Sequence, residues 1–245
     1  MTDKYKLVVS NLYKTYERPN NFPLKVIQNV SFHVLEKEIV SIIGPSGCGK
    51  TTIFNIISGI LNQNSSTIKI DGKCGYMFQE PLLFPWRTVL ENVMLGYEVK
   101  KVPKNQARKK AFDLLKEFSL ADYVNLYSNV LSGGMKQKVA LLRTVAFNSS
   151  FLLLDEPFGS LDAITRSSLH QYLFNIWKKL KLTILFTTHD IREAIFLSDR
   201  IYVLSNKPAK IIHCLQVNLP RPRKIQDFTS AKFVKLEGKL INLLR

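Results

Sequence analysis

A chain of 245 residues, 46% of them apolar, is long enough to bury a full core as one large domain or as a domain with an inserted subdomain. No apolar run approaches the roughly eighteen residues of a membrane span, the start MTDKYKLVVSNLYKTY lacks a signal-peptide core, and Cys48, Cys74 and Cys214 lack metal-ligand spacing, so the chain is expected in the reducing cytosol. Thirty-five Lys and Arg against 19 Asp and Glu leave a formal +16, which favours an anionic partner such as nucleic acid or the anionic face of a membrane. The basic runs KKVPKNQARKK, WKKLK and RPRK lack the aromatic interleaving of a single-strand groove, and they read mostly as solvated helix faces.

Along the chain, YKLVVSNLYKTY and LKVIQNVSFHVLEKE alternate apolar and polar residues, which predicts antiparallel strands with one exposed face. Ile39, Val40, Ile42 and Ile43 predict a buried strand, and TTIFNIISGI places apolar residues at helical spacing. Between them lies GPSGCGKTT, Gly44 to Thr52, whose glycines let the backbone turn tightly and aim N–H groups toward the positive end of the next helix. Lys50 is placed to reach β- and γ-phosphates, and the Thr51 hydroxyl to ligate Mg²⁺. STIKIDGKCGYMFQE predicts two short strands around an Asp-Gly turn. From Pro81 to about Asn148 strand signals are scarce, and a helical insertion is expected there.

FLLLD, Phe151 to Asp155, predicts a central buried strand that delivers Asp155 to its carboxyl end, where Mg²⁺ is held, with Glu156 following as a candidate general base. LTILFTTHD predicts a second buried strand, ending beside His189. LSGGMKQKVALLRTV sets Ser132, Gly133 and Gly134 before an amphipathic helix, a second site for an anion. Near the end, Phe233, Leu236, Leu240 and Leu243 fall on one helical face.

Over essentially its whole length the chain resembles the ATP-binding subunits of ABC transporters. GPSGCGKTT, Gly44, Pro45, Ser46, Gly47, Cys48, Gly49, Lys50, Thr51 and Thr52, resembles Walker A; Gln79 in YMFQEP resembles the Q-loop, and LSGGM the ABC signature. FLLLDEP resembles Walker B with its catalytic glutamate, GSLD (Gly159 to Asp162) the D-loop, and His189 the switch histidine. Tyr16 sits where that family carries an aromatic that stacks on adenine, with Tyr13 as competitor.

The resemblance implies an α/β fold: a P-loop NTPase core with a mostly parallel sheet, an N-terminal antiparallel β subdomain and an inserted helical subdomain. Its extents would be 1–245 for the single ATPase domain, 81–147 for the helical part with the signature, and 221–245 for a C-terminal basic segment and helix. It also implies ATP and Mg²⁺ as ligands, the metal held by Thr51, Gln79 and Asp155. Glu156, His189 and Gln79 would be catalytic, while Ser132, Gly133, Gly134 and Asp162 would contact nucleotide.

FQEPLLFPWRTVLENV, DEPFGSLDAITR, THDIREAIFLSDR and LPRPR, with Met135 in place of the commoner Gln, are similar to ATPases of importers for nitrate, sulfonate, taurine, bicarbonate or thiamine-precursor pyrimidines. Lys136 and Lys138 depart from the commoner arginines, and the stretch from Asp71 to Gln79 is short, which puts the neighbouring hairpin in doubt. The implied partners are a second ATPase subunit, membrane permease subunits docked on Leu82, Leu83, Phe84, Pro85 and Trp86, and indirectly a solute-binding protein, with no nucleic acid. The implied place is the cytoplasmic face of the inner membrane. Two alternatives stand beside this reading: a non-transport ABC ATPase acting on nucleic acid or a macromolecular assembly, supported by the basic charge, and a P-loop kinase, which leaves the Ser-Gly-Gly segment unexplained.

Overall fold

The alternating N-terminal runs fold as long antiparallel strands in the computed structural model, which describes residues 4–18, 21–147, 149–159 and 161–244. In chain order the elements are β1 (Tyr5–Arg18), β2 (Asn21–Leu35), β3 (Ile39–Ile43), α1 (Lys50–Ile57), β4 (Ser65–Ile70), β5 (Cys74–Met77), α2 (Val89–Glu98), α3 (Lys104–Glu117), α4 (Gly133–Ala146), β6 (Phe151–Asp155), α5 (Ala163–Leu180), β7 (Thr183–Thr188), α6 (Ile191–Leu197), β8 (Arg200–Leu204), β9 (Ile211–Gln216) and α7 (Ala231–Leu244). They divide into two compact units: the residues up to Asp71 together with those from Leu182 onward, and Gly72–Lys181. Among the described residues no helix is long and apolar enough to cross a membrane.

In the first unit, β1 lies between β2 and β4 in an antiparallel sheet. Leu7 and Val9 are buried while Val8 and Ser10 are half-buried, as a two-residue period requires. The alternation breaks at Asn11, which takes φ 50, and the register with β2 shifts between Val9 and Leu12 so that Leu12 returns to the buried face. A bulge of this kind bends the strand without losing its apolar side. Behind it, β3 is paired on both edges, in parallel with β7 and β8, and all its residues are buried. That explains its unbroken apolar run. β9 closes this side of the sheet, antiparallel to β8.

The chain bends at Asp71 and Gly72, with Gly72 at φ 88, and no hairpin forms there. β4 pairs with β1, whereas β5 runs parallel to β6, Cys74 opposite Phe151 and Met77 opposite Leu154. Pairing follows burial: β4 alternates exposed and half-buried residues as an edge strand does, while Gly75 and Met77 of β5 are buried.

The second unit holds β5, β6 and α2 to α5. α2 opens with a capping box in which Thr88 and Glu91 satisfy each other's backbone N–H groups. Gly96 sets its crossing with α4: a Cβ there would lie 2.6 Å from Ala146 C and Phe147 N, so the helices meet backbone against side-chain-free backbone.

The RPRK run departs from the solvated face expected of it. Arg221 binds Asp199 Oδ1 through Nε (3.0 Å) and Nη2 (2.7 Å), and Asp199 Oδ2 accepts the N–H of Ile39 at the start of β3 (2.9 Å). Arg223 is buried, and its Nη1 donates to the carbonyls of Ile195 (2.8 Å), Phe196 (3.1 Å) and Ser198 (2.6 Å). It therefore closes the C-terminus of α6, where carbonyls lack intrahelical partners and the dipole favours a cation. Burial pushes its guanidinium down to about 10, still charged at neutral pH. Replacing Arg223 by Met would strand those carbonyls. We expect a loss of about 2–4 kcal/mol in urea unfolding, against under about 0.5 kcal/mol for the exposed Lys224→Met.

Candidate active site

The first unit carries a strand, a glycine loop and a helix in immediate succession, β3, Gly44–Gly49 and α1. Gly49 adopts φ 123, and a Cβ on it would come within 3.0 Å of Val26 Cγ1, so only glycine fits both the backbone turn and the packing. Ser46, Gly47 and Thr51 are exposed, Pro45, Gly49 and Thr52 half-buried, and Gly44 and Cys48 buried. Burial pushes the Cys48 thiol up, away from reactivity.

Lys50, the first residue of α1, is 5% exposed and folds back over the loop, its Nζ donating to Gly44 O at 2.9 Å and Pro45 O at 3.3 Å. The ammonium and the positive end of α1 thus converge on one loop with solvent-facing residues. That arrangement has the charge and the donors that suit an anion bearing several oxygens. In the same unit β7 ends at Thr188, His189 follows in an exposed position, and Asp190 caps α6 by accepting from Glu193 N at 3.1 Å. Tyr16 lies on β1, 36% exposed, with Lys14 Nζ 5.1 Å from its ring centroid; Tyr13, 37% exposed, is equally accessible.

In the second unit β6 is buried from Phe151 to Asp155. The Asp155 carboxylate is 2% exposed, and the Tyr76 hydroxyl approaches its Oδ2 at 3.5 Å. Burial and that carboxylate push the Tyr76 phenol far up, so it remains a donor. Glu156 takes φ 40, a left-handed conformation that costs a non-glycine residue on the order of 1–3 kcal/mol, and its carbonyl accepts the N–H of Gly159 at 3.2 Å. The half-buried side chain leaves the strand end by this sharp turn rather than along the β course.

Ser132 is the N-cap of α4, accepting from Met135 N at 3.3 Å, with Gly133 exposed and Gly134 buried against Thr165. Asp162 caps α5, its Oδ1 accepting from Ile164 N and Thr165 N at 3.0 Å each, and hydrogen bonding to Thr165 holds its carboxyl below the usual range. Of the GSLD segment, Ser160 lies outside the described residues. Gln79 is exposed after β5.

The chain's organisation around Gln79 rests on residues that the motif reading passes over. Gln137 of α4, buried, donates through Nε2 to Gln79 O at 3.3 Å. Arg143, six residues on, donates through Nη1 to Leu82 O (2.7 Å) and through Nη2 to Pro81 O (2.6 Å). Asn92 of α2, fully buried, accepts from Phe84 N (2.8 Å) and donates to the carbonyls of Phe84, Arg87 and Thr88. The segment from Gln79 to Thr88 is therefore pinned to the helix that Ser132 opens. It presents an apolar surface: Trp86, 70% exposed, stacks on Phe84 with centroids 5.0 Å apart, and Leu82 is 51% exposed. No spacing in the sequence marks these residues: Gln137 and Arg143 are six residues apart on α4, about 120° around the helix.

Among the described residues no group of three or more His, Cys, Asp or Glu could hold a metal ion. Thr51, Gln79 and Asp155 offer only oxygen donors, a set that suits a hard cation sharing its shell with phosphate rather than an all-protein cage.

A glycine loop between a parallel β-strand and a helix, with its lysine on the loop carbonyls, defines a P-loop nucleotide-binding protein of the α/β class. The family model described as ABC transporter matches residues 27–159. The chain is 41% identical to an uncharacterised ABC transporter ATP-binding protein of Methanocaldococcus jannaschii, over 99% of this chain and 92% of that one. It is 41% identical to an aliphatic sulfonates import ATP-binding protein of Bacillus cereus, and 37% identical to a nitrate import ATP-binding protein of Synechocystis, each over 89% of this chain and 88% of the relative. Among solved structures, a dimeric ATP-binding cassette in a post-hydrolysis state bound to ADP and phosphate is similar with a TM-score of 0.76 at 30% identity, over 87% of this chain and all of that one. The chain belongs to the ABC transporter family, as one of its ATP-binding subunits.

Proposed function

We propose that this chain is the ATP-hydrolysing subunit that drives solute import through separate membrane subunits, in the manner of the nitrate and sulfonate relatives. The observation that carries the reading is the Lys50 ammonium folded onto the Gly44 and Pro45 carbonyls at the head of α1. On binding ATP, Lys50 would exchange those carbonyls for β- and γ-phosphate oxygens, and the N–H groups of Gly44 to Thr52 would surround the phosphates. Tyr16 would stack on the adenine. Thr51, Gln79 and Asp155 would hold a magnesium ion, which supplies charge neutralisation on the phosphates. Glu156 would accept the proton of the attacking water, with His189 and Gln79 orienting groups at the γ-phosphate.

Ser132, Gly133 and Gly134 would cap the γ-phosphate of a second copy, with Asp162 beside it. Each chain has one phosphate loop and one such segment, and the similar cassette above is dimeric. Residues 1–245 would act as one ATPase domain, with 81–147 as its helical subdomain and 221–245 as a C-terminal segment. ATP favours the closed dimer and hydrolysis releases it, a population shift driven by differential affinity. Through Gln137 and Arg143 the signature helix carries the Phe84–Trp86 surface, which would dock a membrane subunit at the cytoplasmic face of the membrane. An upstream solute-binding protein would supply the solute, and no nucleic acid is involved.

Docking is tested by Phe84→Ser with Trp86→Ser, the first at a half-buried and the second at an exposed position, with a urea melt to show that the fold is kept. ATP hydrolysis by the isolated chain should stay within about twofold, because neither residue meets nucleotide, while the membrane subunits should no longer co-purify in mild detergent. Normal co-purification would remove this surface from the interface.

A further inference from the structure

β9 and α7 enclose a groove of about 880 Å³ in the first unit, within the ~300–1,000 Å³ range of ligand sites. One wall is the strand, including His213, Cys214 and Gln216, and the other carries Lys232, Lys235 and Lys239. Leu215 and Leu236 give it an apolar floor, and none of its lining residues is acidic. The one glutamate of α7, Glu237, is held by Arg192 Nε at 2.6 Å.

The strand's hydrogen bonding tells which main-chain groups of this wall are left over from the pairing with β8. Val217 N donates to Asp199 O at 2.8 Å, and the register continues Gln216 opposite Arg200, Leu215 opposite Ile201 and Cys214 opposite Tyr202. Antiparallel ladders alternate, so Leu215 and Val217 turn their N–H and C=O toward β8. Cys214 and Gln216 turn theirs to the opposite edge. Among the described residues no strand pairs with β9 on that edge. β9 itself, IIHCLQ, carries no Lys, Arg, Asp or Glu, the residues that usually keep an edge from pairing. The charge comes instead from the facing helix, where it selects what can pair. A second copy pairing β9 to β9 would set two lysine rows and two chains of +16 against each other.

We propose that this groove receives an extended acidic segment of a partner protein, added as a strand on the free edge of β9 with its carboxylates toward Lys232, Lys235 and Lys239. Main-chain bonds to Cys214 and Gln216 would supply affinity, and the lysines specificity. The inference does not rest on the transport reading, since no residue of the nucleotide site lines the groove.

The test titrates a fluorescently labelled ten-residue peptide of alternating Glu and Val into the full-length chain, followed by anisotropy. Saturable binding is expected, with no binding of the matching Lys and Val peptide. Lys235→Glu with Lys239→Glu should weaken it about tenfold or more, by opposing the peptide's charge. Gln216→Pro should weaken it similarly, because it removes an edge N–H without touching the bonds to β8, and N-methylation of alternate peptide residues should do the same from the ligand's side. No saturable binding up to about 1 mM would overturn the proposal. So would a peptide insensitive to Gln216→Pro and to N-methylation but displaced by citrate, which would make the groove a small-anion site.

Discussion

Glu156→Gln should leave ATP binding intact and slow single-turnover hydrolysis by about 10² to 10⁴, the usual contribution of a general base. Gln has the shape of Glu but cannot take the proton of water, and at φ 40 it meets the same backbone cost, so the fold should not change. The neighbouring Asp155 is buried beneath the Tyr76 hydroxyl and cannot serve as substitute base without leaving the strand end. Rapid-quench measurement of phosphate release from bound ATP is the direct readout. Hydrolysis at the wild-type rate would take Glu156 out of the chemistry.

Lys50→Ala should cost about 2–5 kcal/mol of ATP affinity, the range for truncating one partner of a buried, hydrogen-bonded charge pair, or roughly 30-fold to several thousand-fold in dissociation constant. The ammonium already lies out of solvent in the loop, so little is lost in desolvating it when phosphate arrives. Stability should change less, because the half-buried Pro45 carbonyl lies next to exposed Ser46 and can turn to water, leaving only the buried Gly44 carbonyl without the ammonium. Equilibrium binding of a labelled ATP analogue, paired with a urea melt, separates the two effects. A folded variant with unchanged affinity would exclude Lys50 from the site.

Much of this was legible because the informative segments have local signatures. Ile39 to Ile43 and Phe151 to Asp155 are apolar without alternation, as strands buried on both faces must be, and the residues between Ile43 and α1 are the small ones that a phosphate loop requires. Ser132 before an amphipathic helix reads as an N-cap from the chain alone. Other features have no such period. Arg223 on the carbonyls ending α6 looks, in a string of letters, like any solvated cation. Asn92, Gln137 and Arg143 act through long-range bonds to carbonyls, which depend on helix packing rather than spacing. The Asp-Gly pair announced a bend but not that its two strands pair elsewhere, since strand choice is settled by burial.

The shared site is tested most directly by size-exclusion chromatography with light scattering on the Glu156→Gln chain, with and without Mg-ATP, alone and combined with Ser132→Arg. Ser132 is exposed at the head of α4, so arginine there should leave the fold intact while filling the space that the partner's γ-phosphate would occupy. The account predicts a monomer without nucleotide, a dimer with Mg-ATP, and a monomer again once Ser132→Arg is added. A dimer that forms with Mg-ATP regardless of Ser132→Arg, or a Glu156→Gln chain that binds ATP and stays monomeric, would contradict it.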